Sequence, residues 1–381
     1  MSRPESNGWT GGQYSLWRAL MGSFVLGLSV WQLVGCEGDV ATLVLSGTAI
    51  ALSLACILGW WDGPAALVLA TLVGVIVFRD RELPTAIWPL VAVLLLHGLA
   101  PPAPFGSVMA RGRTDPDGGW TLPTWLYRFA WGVLLLAMVM AAFDPRIETT
   151  EPIAGLLSRA GLVATTVLAA GNRTRSWAWL LAGLTGLVLA AAGTVPWILL
   201  APVPAWLLAL DPAWIAAGRS RSSNSTDPVS SESKPDPVAW LFYDGHCGLC
   251  HRFVRIVLAE DRDPTALRLA PLGGKAFREV VEPSIAATLP ESIVVVTTDS
   301  RVLARSAAVL ELGRSLGGCW RLLAGVARLV PRPLRDLGYD VTACIRHRLF
   351  PRPTEACPLL PPALRERFDL RCDLPPDAAA E

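Results

Sequence analysis

The chain has 381 residues, is 52% apolar and only 17% charged, and has a mean hydropathy of +0.43. That balance is too apolar for an ordinary soluble protein and points to a membrane protein carrying a soluble part. A net charge of +1 offers no basic excess for a phosphate backbone, so nucleic acid is not an expected partner, and eight cysteines in so long a chain do not make a disulfide scaffold.

Residues 1–14 are polar and read as a flexible N-terminus. Ser15 to Gly35, interrupted only by Arg18 near its start, is long enough to cross a bilayer. Leu33-Val34-Gly35-Cys36 resembles a bacterial lipoprotein cleavage box. The stretch before it would make an unusually long leader and a second apolar segment follows at once, so an uncleaved helix is expected. Further apolar segments run from Val40 to Trp60, Pro64 to Phe78, Ala86 to Ala100, Trp125 to Phe143, Pro152 to Gly171 and Trp177 to Gly193. Val195 to Leu210 is short and holds Pro196, Pro202 and Pro204, which suit a kinked or re-entrant piece. The expectation is an α-helical polytopic membrane bundle of seven or eight helices over residues 15–215. Fourteen of the sixteen tryptophans precede Ala216, many beside predicted span ends, where indole rings sit at headgroup level. Arg159 and His97 are the ionisable residues expected at membrane depth.

Arginine placement sets the expected orientation. With eight spans and the N-terminus inside, Arg111, Arg113, Arg173, Arg175, Arg219 and Arg221 fall on inner loops, and Arg79, Arg81 and Arg146 on outer ones. A bacterial inner-membrane protein with a cytoplasmic C-terminal domain follows as the expectation. Residues 216–237 turn abruptly to Ser, Asn, Asp, Lys and Pro and read as a solvated linker.

The chemistry-bearing stretch is Val238 to His251. An apolar run of strand length breaks at the turn-forming pair Asp244-Gly245, and helical spacing of Phe253, Val254, Ile256, Val257 and Leu258 follows. Cys247 and Cys250 therefore sit where a strand ends and a helix begins. Unpaired N–H groups and the helix dipole stabilise a thiolate there, and the Cys-x-x-Cys spacing puts the second sulfur one turn from the first, as disulfide exchange requires. Cys247-Gly-Leu-Cys250-His251 also spells the c-type haem attachment pattern, but the last methionine is Met140, so no downstream methionine can complete the axial pair. Zinc is a third reading, set back by the lack of a second Cys-x-x-Cys downstream. A redox-active disulfide with no bound cofactor is the expectation.

Beyond this stretch, Leu267 to Pro271 reads as a strand, Lys275 to Val281 as a helix, Ser292 to Thr298 as the clearest strand of the domain and Arg301 to Ala304 as its hairpin partner. Helices follow from Ser306 to Gly317-Gly318, from Trp320 to Val330 and from Leu334 to Phe350. The order β-α-β-α-β-β-α is that of an α/β thioredoxin-like domain, placed at residues 238–370 with a tail at 371–381.

This domain resembles the DCC family of thiol-disulfide oxidoreductases, whose Asp-x-x-Cys-x-x-Cys signature stands here as Asp244-Gly-His-Cys247-Gly-Leu-Cys250. Arg305-Ser306-Ala307-Ala308, Pro331-Arg-Pro-Leu-Arg335-Asp336, Tyr339 with Arg346 and Arg348, and Cys357-Pro358 before Arg365-Glu-Arg367-Phe368 also fit the family. Ile345, His347 and Pro351 depart from it. The resemblance implies a thioredoxin-like fold and protein-disulfide reductase activity toward a protein or small-molecule thiol or disulfide. The membrane region resembles DoxX-like segments only weakly. Within this reading Cys247, the more exposed thiol, attacks and Cys250 resolves. Asp244 accepts the Cys250 proton or caps the helix, His246 tunes Cys247 or is a solvated loop residue, and Ser306 caps its helix. Arg346 binds an acidic partner or lies on a solvated face, and Cys357 is either a third redox thiol or a buried structural one. Pro290 is the candidate for a cis-proline facing the cysteines. A non-enzymatic redox sensor or scaffold is the alternative from another class.

Overall fold

The computed structural model describes residues 7–35, 40–79, 87–143, 152–171, 173–192, 203–215, 239–263, 267–290, 292–350 and 362–369. The chain divides into two compact units, Met1–Arg111 with Gly118–Trp214, and Gly112–Asp117 with Ile215–Glu381.

The first unit is helical: α1 (Gly11–Gly35), α2 (Val40–Leu58), α3 (Asp62–Arg79), α4 (Trp88–Gly98), α5 (Thr124–Phe143), α6 (Pro152–Ala170), α7 (Arg175–Ala192) and α8 (Val203–Leu208). Among the described residues, α1 and α2 are long and apolar enough to cross a membrane. Of the segment read as an eighth span, residues 203–210 are described and hold the short α8; the rest lies outside the described residues. Residues 7–14 differ from the flexible N-terminus expected: Trp9 and Tyr14 are buried and the helix already begins at Gly11. Tyr14, Trp17, Met21 and Val25, spaced three or four apart on α1, enter the core with Leu69, Leu90, Leu94 and Leu126.

A charged cluster lies inside this apolar unit. Arg18 is only 1% exposed, and its Nη1 donates to Asp62 Oδ2 at 2.8 Å. His97 Nε2 stands 3.7 Å from the same oxygen, and Tyr14 Oη lies 2.7 Å from His97 Nδ1. His97, expected at depth, is thus buried in a polar network, whereas Arg159 is exposed on α6. Gly59, in the turn between α2 and α3, has φ +68°, and a Cβ there would stand 1.7 Å from Arg18 Nη1. The glycine therefore serves both the left-handed turn and the close passage of the guanidinium.

The second unit is an α/β domain. It comprises β1 (Ala239–Tyr243), α9 (Gly248–Glu260), β2 (Leu267–Pro271), α10 (Lys275–Val280), α11 (Pro283–Ala286), β3 (Val294–Val296), β4 (Val302–Ala304), α12 (Arg305–Leu316), α13 (Gly318–Ala327), α14 (Arg332–Leu349) and α15 (Pro362–Arg365). The expected order holds, with α11 and α15 added. The four strands stand in the order β2-β1-β3-β4, with β1 parallel to β2 and antiparallel to β3. Side chains alternate across the sheet. Leu241, Tyr243, Leu269 and Val295 join Val254, Val257, Ala308 and Leu312 of α9 and α12 on one face, while Phe242, Ala270, Val294 and Val296 meet Ala276 of α10 on the other. Beyond α15 the chain returns to the free edge of β2, where Leu269 N donates to Arg367 O at 2.9 Å and Asp369 N to Leu269 O at 2.8 Å. Arg367 fastens this return through Asp261 Oδ2 at 2.5 Å.

Removing one member of a buried ion pair leaves the other charged and uncompensated. Asp62→Ala is expected to destabilise the first unit by roughly 3–5 kcal/mol. Thermal unfolding of the full chain in detergent checks this, and the Arg18→Ala/Asp62→Ala double variant should lose clearly less than the two single losses added together.

Candidate active site

The site is built at the carboxyl end of the central strand. β1 ends at Tyr243, and Asp244 then accepts the His246 N–H on Oδ1 at 2.9 Å while its carbonyl accepts the Cys247 N–H at 3.3 Å. This tight turn brings the chain directly into α9. Cys247 is the N-cap, in extended conformation at φ −106° and ψ 113°, and its sulfur accepts the Cys250 N–H at 3.2 Å. One of the otherwise orphaned amides of the helix is therefore satisfied by the first thiol.

Three sequence expectations change here. Asp244 does not cap the helix, because Cys247 does. Cys247 is not the more exposed thiol: it is 1% exposed and Cys250 5%, since both pack among Leu241, Tyr243 and Val254 beneath the turn. Ser306 does not cap α12, whose N-cap is Ala304; its hydroxyl instead donates to Asp336 Oδ1 across to α14. His246 is exposed, in keeping with a loop position. No cis peptide bond occurs among the described residues, so Pro290 is trans. Cys357 lies outside the described residues, and the same holds for the Arg348 side chain.

Further residues around the cysteines make contacts that the sequence did not indicate. His251 is buried, and its Nε2 lies 2.8 Å from the Gly245 carbonyl, bracing the turn from within α9. Arg346 is buried at 8% exposure, and its Nη2 stands 3.5 Å from Asp244 Oδ2. Seven residues earlier on the same face of α14, Tyr339 Oη accepts the Ile293 N–H at 2.9 Å. The signal for this pair was present in the sequence as spacing: two helical turns separate Tyr339 from Arg346. Neither a solvated face nor an acidic partner is needed to account for Arg346, because its carboxylate is Asp244.

Burial pushes the Cys250 thiol far above its ordinary value, and the Cys247 hydrogen bond and charge push it further, while Arg346 pulls it down. Burial also raises the Tyr339 hydroxyl, with the charge of Cys250 acting in the same direction. Asp244 also raises the Cys250 thiol, and Arg346 also lowers the Tyr339 hydroxyl. Among the described residues, no group of three His, Cys, Asp or Glu side chains is arranged to hold a metal ion.

Residues 241–352 match the family model described as DCC1-like thiol-disulfide oxidoreductase. The matched segment runs from β1 to just beyond α14 and contains both cysteines, Asp244, Tyr339 and Arg346. No curated protein and no solved structure matches the chain.

Because the Cys250 thiol titrates far above neutrality, its thiolate fraction grows about tenfold per pH unit without levelling off up to about pH 10. Iodoacetamide labelling of Cys250 in the reduced full chain, followed by mass spectrometry, should show that slope. Arg346→Ala removes the cation that lowers the Cys250 pKa and should slow the labelling further at every pH; faster labelling would contradict the assignment.

Proposed function

We propose, on the premise that residues 241–352 form a domain of the DCC1-like thiol-disulfide oxidoreductase family, that this protein is a membrane-anchored protein-disulfide reductase using Cys247 and Cys250 as its dithiol. The observation that carries the reading is the Cys247 sulfur at the N-cap of α9, accepting the Cys250 amide. α1 and α2, each long and apolar enough to cross a membrane, support the anchoring.

Exchange runs in two displacements. The Cys247 thiolate attacks one sulfur of a substrate disulfide; a mixed disulfide forms, the substrate S–S bond breaks and the first substrate thiolate leaves to take up a proton. Cys250 then loses its proton and attacks the Cys247 sulfur. The Cys247–Cys250 bond forms, the mixed disulfide breaks and the second substrate thiolate departs, so the substrate has gained two electrons and the protein has lost two. A dithiol reductant returns the pair to its starting state. Asp244, on the loop between the sheet and the cysteines, is the proton acceptor for Cys250. Arg346, 3.5 Å from that carboxylate, holds it near the second thiol and stabilises the anion that forms there. The raised Cys250 pKa suits a resolving thiol that stays protonated until the mixed disulfide is made.

The full chain in detergent is expected to reduce a fluorescent disulfide substrate with a dithiol as donor. Cys247→Ser should abolish turnover, while Cys250→Ser should trap a mixed disulfide seen as a mass adduct on Cys247. Redox titration should give one two-electron couple shared by both cysteines at roughly −120 to −270 mV. Cysteines that titrate independently, with no turnover, would leave a sensor or scaffold, and a Soret band in intact membranes would point to haem.

A further inference from the structure

Helix α14 carries its polarity the wrong way round for a domain surrounded by water. On α14 the residues turned toward the domain are polar: Asp336 receives the Ser306 hydroxyl, Tyr339 receives the Ile293 amide, Asp340 pairs with Arg305 at 3.5 Å and Arg346 with Asp244. The opposite face is apolar. Leu334, Leu337, Val341 and Ile345, spaced three, four and four apart, form one stripe and are 41–60% exposed. On α13 and the turn after it Leu322, Val326 and Leu329 are exposed as well, the last at 83%. Clustered apolar exposure of this kind marks an interaction surface rather than scattered single residues.

The charges beside the stripe select its occupant. Arg328 and Arg332 stand exposed at the turn between the helices, and Arg332 reaches Asp336 at 3.4 Å. The only acidic residues of α13 and α14, Asp336 and Asp340, are engaged toward Ser306 and Arg305. What remains outward is leucine and valine rimmed by guanidinium groups. Protein interfaces concentrate their affinity in Trp, Tyr and Arg anchors, with Leu and Val under-represented, whereas an interfacial amphipathic helix presents aliphatic residues beside cations. This step rests on the membrane anchoring proposed above: with α1 and α2 crossing a bilayer, the same chain would hold this domain near lipid.

We propose that the outer face of α13 and α14 docks on the surface of an anionic phospholipid bilayer, its aliphatic stripe entering the headgroup–acyl boundary and Arg328 and Arg332 meeting lipid phosphates. The inference does not depend on the redox chemistry, because none of these outward residues belongs to the cysteine site.

Cys344 is exposed on α14, three residues after Val341, and is a native reporter of this face. The full chain is reconstituted in nanodiscs of phosphatidylcholine alone or mixed with phosphatidylglycerol and treated with an uncharged polyethylene-glycol maleimide. The Cys344 rate, read by mass spectrometry, is divided by that of a Lys275→Cys reference on α10. The normalised rate should fall at least about tenfold in the anionic discs, and Arg328→Gln/Arg332→Gln should restore it, since two basic residues near an anionic surface contribute roughly 25-fold to the docked-to-undocked ratio. Equal normalised rates in the two lipids would overturn the proposal. So would protection that persists in detergent, which would mean that protein, either a second copy or another part of the chain, covers the face.

Discussion

The arrangement of the C-terminal domain depends on one hydrogen bond, from the Cys250 amide to the Cys247 sulfur. It exists only because β1 runs into α9 through a turn of three residues, and that turn is held from two sides. Asp244 closes it through the His246 and Cys247 amides, and His251 reaches back from α9 to the Gly245 carbonyl. β1 is in turn central, paired with β2 and β3, so the turn that carries the sulfur leaves from a strand hydrogen-bonded on both edges. A thiol placed on a rigid strand–helix junction keeps its geometry whether or not a substrate is present, which is how a site avoids the entropy of assembling itself.

The helices and strands of this domain were legible because their signals are local. The run Ile293 to Val296, the Asp244-Gly245 break and the Gly317-Gly318 stop each act within a few residues. Burial of the cysteines was not legible, since it comes from Val254 and from Ala308 and Leu312 of a helix about fifty residues later. Ser306 shows the same limit. A serine at the start of a helix ordinarily caps it, but here Arg305 adopts φ +55° and the hydroxyl meets Asp336 on a distant helix instead. The candidate site was therefore half readable: the Asp-x-x-Cys-x-x-Cys stretch as chemistry, and the Tyr339 and Arg346 end as a motif without a partner.

In the helical unit the apolar segments were read close to their observed limits, while the polar residues within them were not. Arg18 looked like an interruption near the start of an apolar segment, and Asp62 lay just past the end of another. Together they form a buried pair at 2.8 Å, with His97 and Tyr14 completing the cluster. The cost of burying such groups is offset only when all of them arrive together, and sequence windows of one helix cannot show that convergence.

The strand-like return at Arg367 to Asp369 gives the domain an outline longer than its family likeness. The matched segment stops at residue 352, yet Leu269 on β2 is hydrogen-bonded on both sides to residues about a hundred positions later. Severed at the end of the matched segment, the chain would present β2 as a bare edge able to recruit a strand from another molecule. The hydrogen-bonded sheet thus extends past the stretch that matches the family model. Sheet completion, moreover, waits on a contact of high sequence separation, which slows folding and makes residues 367–369 a determinant of solubility.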